Sequence, residues 1–349
     1  MAGPVRDSLV ATEGQLVSLV NQLRLKNIFA FVTEGVELGS IGGALSAMSF
    51  RTLNKRSYLV DVLAFTPRQM QPLFDIIADE SVTKLMWDGR MDASELLHGH
   101  AVELRGALDL QLADVDARRR RESFFKQKCR LRRRGLRMRK ITKEGFKYVH
   151  RLNGLAGAAE EYGVIPPRQR TYEPVPQFDQ SRWLQRPFTD VQIEYAAEDV
   201  RYIMALYHIF SKRRYIADEE SLKLQTRAYH AIYRAGRRDK GNIYTMTSLM
   251  PLEILDLPTS QDGATSSCHG CRRDLTKKSF ALASADKCFV CVALDKEQGR
   301  FPQPVNRDSA RKGAVRGRGR GQRGARSGGV QGGTHHGLGV TNAVAPLAG

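Results

Sequence analysis

The sequence predicts an α/β domain with a mixed sheet, then a small module built around cysteines, then a basic tail. The first expectation rests on three strand-like stretches in succession, at 28–33, 44–50 and 57–63, after which strands alternate with helices. The second rests on two Cys-x-x-Cys pairs near the C-terminal end, and the third on an Arg-Gly-rich terminus.

Taken in order, residues 7–26 carry apolar residues at helical spacing (Leu9, Val10, Leu16, Leu19, Val20, Leu23). Ile28-Phe29-Ala30-Phe31-Val32 reads as a buried strand that surfaces at Glu34 and Glu37. Pro67 opens a helix to about Ala78, Lys84–Trp87 is a short buried strand, and Asp88-Gly89-Arg90 leads into a helix from Met91 to His98. A further strand and helix occupy 102–116, residues 143–163 are expected to be helical, and 170–183 reads as an irregular link. Thr189 and Gln192 form a capping box for a helix over 189–214. Its Ala196, Val200, Ile203, Tyr207 and Phe210 recur at three and four and make a core stripe. Residues 216–262 read as a helical spacer, and no repeat of solenoid period is present.

The net charge of +18 is unevenly placed. Residues 118–140 hold thirteen Lys or Arg against one Glu, and residues 300–349 hold nine against Asp308, so the rest of the chain carries −2. A near-neutral body with two strongly basic segments points to a polyanion, and nucleic acid is the expected partner. The arginines expected to meet it are Arg118, Arg119, Arg120, Arg132, Arg133 and Arg134 in the first segment and Arg316, Arg318 and Arg320 in the second. A nuclear import signal is the competing reading of the first segment. No stretch has the ~18 consecutive apolar residues of a membrane helix. The N-terminus lacks the charged start and apolar centre of a secretory signal, so an intracellular protein of nucleus or cytoplasm, with no membrane partner, is expected.

Cys268-His-Gly-Cys271 and Cys288-Phe-Val-Cys291, sixteen residues apart, match the spacing of a four-thiolate zinc site. Four thiolates leave no open position, so the expected zinc is structural and the module zinc-ribbon-like. Cys129 stands alone, and His269 adjoins a better ligand. The tail has too few apolar residues to fold and is expected to be disordered. Its guanidinium groups on mobile backbone suit RNA, with a plain linker as the alternative.

Glu34, Asp92 and Asp199 come from three separate elements, and Tyr195 precedes Asp199 by one helical turn. Convergent carboxylates hold Mg²⁺ or Mn²⁺ in phosphoryl-transfer sites, although each acid taken singly is as well explained as a cap or a surface group. In order they resemble the three motifs of the RNase D-like, DEDDy branch of 3′-5′ exonucleases. Residues 32–50 (VTEGVELGSIGGALSAMSF) resemble the first motif and its following strand, and 84–97 (KLMWDGRMDASELL) the second. ALDLQLAD at 107–114 resembles the segment after that, and WLQRPFTDVQIEYAAEDVRYIMALY at 183–207 the third. The resemblance covers about residues 28–212 and implies a ribonuclease H-like mixed sheet flanked by helices. It also implies that Glu34, Asp92 and Asp199 hold Mg²⁺ or Mn²⁺ and that Tyr195 positions the attacking water. The family's first motif reads Asp-x-Glu; here Val32 stands at the lost Asp position. That loss removes the bridge between two ions and implies weak or absent binding of the catalytic metal. Two other acids are candidates to substitute: Glu37, which lies past Gly35 and would have to fold back, and Asp61, late in the third strand.

The organisation expected is therefore a helical segment (1–27), an exonuclease-like domain (28–215) with a basic insertion (118–140), a helical spacer (216–262), a four-cysteine zinc module (263–295) and an Arg-Gly-rich tail (296–349). Three functions remain open. One is an RNA- or single-stranded-DNA-binding protein with weakened or lost catalysis. Another is an active 3′-5′ exonuclease. The last is a non-enzymatic scaffold whose zinc module and tail engage a protein assembly.

Overall fold

Residues 8–132, 141–166, 179–245, 248–256, 265–281 and 285–298 are described in a computed structural model. The chain divides into two units, Met1–Phe301 and Pro302–Gly349, and all described residues belong to the first. The elements run β1 (Ser8–Val10), α1 (Glu13–Arg24), β2 (Ile28–Val36), β3 (Ala44–Thr52), β4 (Ser57–Asp61), α2 (Pro67–Ala78), β5 (Thr83–Met86), α3 (Arg90–His100), β6 (Ala107–Asp109) and α4 (Leu110–Arg121). They continue with α5 (Phe124–Arg132), α6 (Lys143–Phe146), β7 (Val149–Arg151), α7 (Leu155–Glu161), α8 (Asp190–Lys212), α9 (Glu219–His230), β8 (Leu249–Pro251), β9 (Thr265–Ser267), β10 (Asp274–Thr276) and α10 (Phe289–Glu297).

The main sheet has the order β1-β4-β3-β2-β5-β6 among the described residues. β2, β3 and β4 pair antiparallel, and the remaining neighbours pair parallel. This is the mixed sheet expected. The alternation of β2 divides the body into two apolar cores, because successive side chains leave a strand on opposite faces. Phe29 and Phe31 enter one core with Phe50 and the apolar residues of α1 and α2. Ala30 enters the other with Leu85, Leu108 and the Val200, Ile203 and Phe210 stripe of α8.

Local chemistry sets the helix starts. Thr66 and Gln69 form a capping box with Pro67 at the first helical position of α2. Thr189 and Gln192 do the same for α8, which then runs 23 residues. Three expectations are corrected. Residues 8–10 are not helical: they pair in parallel with Tyr58, Leu59 and Val60, and the helix begins only after Thr12. Residues 143–163 are not one helix, because Val149–Arg151 pairs antiparallel with Leu249–Pro251 and separates α6 from α7. The 216–262 segment is helical over α9 but turns into short 3₁₀ segments and β8. A smaller core joins Leu131, Ile141, Phe146, Val149 and Leu249 to the four cysteines and to Leu275, Val290 and Leu294. Among the described residues, no helix is long and apolar enough to cross a membrane.

Candidate functional site

Glu34 follows Ala30 and Val32 on the face of β2 that meets α8, and the pairing with β3 slips between Glu34 and Gly35. A β-carbon at Gly35 would stand 2.1 Å from the Ala44 carbonyl oxygen, so only glycine passes the slip. Glu34 is buried. That burial first, and then the charges of Asp199 and Asp92, push its carboxyl well above its ordinary value.

Asp92 lies in the first turn of α3. β2 pairs with β5 only as far as Ala30, which leaves the Thr33 amide without a strand partner on that side. Asp92 takes its place: its Oδ1 accepts both the Thr33 backbone N–H and the Thr33 hydroxyl, each at 2.8 Å. Burial raises the Asp92 pKa, against the lowering effect of those two bonds. The turn that delivers Asp92 is held by Asp109, whose carboxylate accepts from the Asp88 amide (3.0 Å), the Gly89 amide (2.9 Å) and His230 Nε2 (3.0 Å). A β-carbon at Gly89 would lie 2.8 Å from the His230 ring, so close packing excludes any other residue there. Thr33, Asp109 and His230 had no chemical signature of their own in the sequence, since an isolated Thr, Asp and His carry no spacing signal.

Asp199 is half-buried on α8, and burial, then Glu198 and Asp92, raise its pKa to about 7. Tyr195, one turn earlier, hydrogen-bonds Gln180 and has its ring 6.3 Å from that of Trp183. Burial, and then Asp199 and Glu34, push its hydroxyl upward, so it remains a protonated donor at neutral pH. The structure thus brings Glu34, Asp92, Asp199 and Tyr195 within electrostatic reach of one another. Burial raises all three carboxylates, and the charge of Asp92 adds to the rise at both Glu34 and Asp199; hard oxygens of this kind suit Mg²⁺ or Mn²⁺.

Val32 is half-buried and packed against the α8 core. Neither nearby acid replaces it. Glu37 has left-handed backbone (φ 50°), is half-exposed, and is paired with Lys240. Asp61 is held by Arg186 through Nε (2.7 Å) and Nη2 (2.6 Å) and also accepts from the Leu63 amide. Arg186 lies over the Phe188 ring at 3.7 Å, so the Arg-Pro-Phe segment before α8 ties that helix to the sheet.

The raised pKa of Asp199 has a consequence for stability. Between its ordinary 3.8 and about 7 the folded protein binds the proton that the unfolded chain releases, so stability falls as pH rises through this window. Above about pH 7 the loss is complete, and it is a few kcal/mol at most. In thermal melts of metal-free protein from pH 5 to 8, Asp199→Asn is expected to flatten the decline, and millimolar Mg²⁺ or Mn²⁺ to raise the wild-type midpoint at pH 8.

The four cysteines form a separate centre. Their sulfurs all lie within 4.8 Å of one another, and all four residues are buried. Measured separations are 3.7 Å (Cys268–Cys291, Cys288–Cys291) and 3.9 Å (Cys271–Cys288). A tetrahedral zinc with Zn–S bonds of ~2.3 Å requires about 3.8 Å. The Cys288 amide donates to Cys268 Sγ at 3.2 Å, and a β-carbon at Gly270 would sit 2.8 Å from Cys291 Sγ. His269 is exposed. The cluster is therefore compatible with zinc. Among the described residues no other group of His, Cys, Asp or Glu closes to this spacing, so the carboxylates stand more openly.

Residues 8–145 match the family described as 3′-5′ exonuclease. The chain contains a 3′-5′ exonuclease domain. The family match takes in Glu34 and Asp92 and ends before α8. A search of curated protein sequences finds no match. Among solved structures, Trypanosoma brucei RNase D in complex with RNA U12 is 19% identical, with a TM-score of 0.52, over 78% of this chain and 84% of that one. The same enzyme as a GMP complex is 20% identical, with a TM-score of 0.51, over 71% and 70%. The exonuclease domain shares its fold with these structures.

The basic residues around the exonuclease domain require one correction. Arg118 is not available to a phosphate. Its side chain is fully buried, with Nε and Nη2 on Asp114 at 2.9 and 2.6 Å and Nη2 also on the Arg151 carbonyl. Arg119 pairs with Asp256 (2.9 Å) and Arg120 with Asp116 (2.7 Å), both partly exposed. Arg132 is exposed at the end of α5. Arg133, Arg134, Arg316, Arg318 and Arg320 lie outside the described residues.

Proposed function

We propose that this chain is a nucleic-acid-binding protein, with RNA or single-stranded DNA as ligand, whose exonuclease domain has weakened or lost hydrolysis. The observation that carries the reading is Val32 at the motif position of an aspartate, with Glu37 and Asp61 both committed to cations elsewhere. The likeness in fold to an RNase D captured with RNA supports the ligand class. The exposed Arg132, with Arg133 and Arg134 beside it in sequence and the Arg-Gly tail beyond, supports a strand whose backbone is met by guanidinium groups.

Glu34, Asp92 and Asp199 are the residues that would hold Mg²⁺ or Mn²⁺, and such an ion supplies electrostatic stabilisation of charge on a phosphoryl group. Thr33 fixes Asp92, Asp109 fixes the turn before it, and Tyr195 offers a protonated hydroxyl to a water or a phosphate oxygen. With valine at 32 one charge is missing where a second ion would be held, and a lost contact of this kind costs a factor of ~10² to 10³ in rate. Cys268, Cys271, Cys288 and Cys291 would hold a structural Zn²⁺. In domain terms, 28–215 is the nuclease-like unit, 263–295 the zinc module and 296–349 a basic arm.

The convergence of Glu34, Asp92, Tyr195 and Asp199 favours a second reading, an active exonuclease that trims 3′ ends with one ion. End-labelled single-stranded RNA, incubated with wild type and Asp92→Ala in Mg²⁺ or Mn²⁺, separates the two, and anisotropy from 50 to 300 mM salt measures binding. Binding that weakens steeply with salt, without shortening of the RNA, is expected. Shortening by wild type but not by Asp92→Ala would establish the active enzyme instead. Absence of binding at every salt concentration would leave a protein scaffold.

A further inference from the structure

We infer that an arginine-lined cavity between the segment after α9 and the four-cysteine core is a second phosphate site, which takes a backbone phosphate of a nucleic-acid strand. The inference rests on the nucleic-acid reading above. The cavity measures about 700 Å³, and five arginines line it. Two are spoken for: Arg234 pairs with Glu103 at 3.2 Å and Arg237 with Glu95 at 2.7 Å. The other three are Arg238, Arg272 and Arg273.

Arg273 is 8% exposed, and both terminal guanidinium nitrogens are buried without a hydrogen-bond partner among the described residues. Its charge reaches the Cys271 thiol and the Tyr229 and Tyr233 hydroxyls, none of which accepts a bond from it. Arg238 Nε is likewise buried and unpartnered. Arg272 is exposed, with left-handed backbone (φ 57°). The acids on the wall do not answer these charges. Glu253 accepts from the Thr276 amide, the Thr276 hydroxyl and the Ser279 hydroxyl, Asp239 accepts from the Gly241 amide, and Asp274 is exposed to solvent.

A guanidinium cannot discharge by losing its proton, and four thiolates around a zinc ion carry a net −2 that answers Arg273 through Cys271, so the positive charges left facing the cavity without an acid are those of Arg238 and Arg272. The matching ligand is a phosphate, whose oxygens fit the guanidinium fork. Arg238 and Arg272 would meet it. A strand fits better than a free anion because of how the wall is anchored. The Arg238 amide donates to the Gly39 carbonyl (3.0 Å), its carbonyl accepts from the Ile41 amide (3.1 Å), and Lys240 pairs with Glu37. The cavity wall is thus bonded to the connection that leaves β2 just after Glu34, which links the cavity to the carboxylate site through backbone hydrogen bonds.

The test uses full-length, zinc-loaded protein and a fluorescein-labelled 20-nucleotide oligouridylate. Wild type is compared with the Arg238→Gln, Arg272→Gln double variant, with melting and zinc content checked to confirm folding. The double variant is expected to bind about 10-fold more weakly at 100 mM salt, and the slope of log K against log salt to fall by ~0.7 for each lost contact. Inorganic phosphate is titrated calorimetrically in parallel. An unchanged affinity and slope, with wild type binding normally, would overturn this site alone. Phosphate binding that the variant loses, with RNA binding intact, would also overturn it by assigning the cavity to a free anion. Failure of wild type to bind RNA would remove the nucleic-acid reading and this site with it.

Discussion

Val32→Asp is expected to raise 3′ trimming of single-stranded RNA by at least ~10²-fold in Mg²⁺ or Mn²⁺. The side chain at 32 leaves β2 on the same face as Glu34, two residues on, and toward α8, which carries Asp199 and Tyr195. Asp92 is already oriented by Thr33, so the new carboxylate would join a set whose other members are in place. Its presence has a cost. Val32 packs against the α8 core, and a fourth acid beside Glu34, whose pKa Asp199 and Asp92 already raise, adds repulsion. Metal-free Val32→Asp is expected to lose about 1–3 kcal/mol of stability, with much of the loss recovered when divalent cation is added. Melting with and without Mn²⁺ measures the cost, and a 3′-labelled RNA ladder measures the gain. Equal trimming by wild type and variant would show that the missing aspartate is not what limits the domain.

The second large effect concerns the cysteines. Cys288→Ser, or chelation of the zinc proposed for the four cysteines, is expected to unfold more than residues 265–298. Structural zinc contributes on the order of 10 kcal/mol to small modules of this type. Here the cysteines also make up much of the core that Leu131, Ile141, Phe146, Val149 and Leu249 share. Hydrogen exchange should therefore accelerate in α5, α6 and β7 as well as in β9, β10 and α10, while β2 and β3 retain protection from their own cores. Exchange confined to 265–298 would show that the shared core holds without the metal. The expected fall in melting midpoint exceeds that of any surface substitution.

Much of this architecture was legible where the determining chemistry is local. Pro67 and the Thr189–Gln192 pair marked the starts of α2 and α8 because helix starts are set by neighbours in sequence. The apolar run of β2 and the stripe of α8 marked the body for the same reason. β1 and β7 were missed because each spans three residues, too short for a period, and each owes its conformation to a distant partner. The basic run misled at Arg118, since the acids that hold this part of the chain, Asp114 and Asp116, lie just before the run begins. At the site, the order of Glu34, Asp92, Tyr195 and Asp199 was legible through motif resemblance, and the structure brings them together. What was not legible were the commitments around them: Thr33 to Asp92, Arg186 to Asp61, Lys240 to Glu37. Each joins residues far apart in the chain or of unremarked type, and these bonds are what rule out Glu37 and Asp61 as substitutes.

The core shared by the middle of the chain and its cysteines also imposes an order on synthesis. Leu131, Phe146 and Val149 leave the ribosome roughly 140 residues before Cys288 and Cys291 do. At roughly 5–20 residues per second, that surface waits on the order of 10 s for its cover. During that interval a nascent chain displays an apolar face flanked by arginines, which is covered only once the last cysteine pair has emerged. If the four cysteines hold zinc as proposed, metal supply acts on this protein at the moment of birth, and zinc-starved translation should yield aggregated chains even where the exonuclease domain itself is sound.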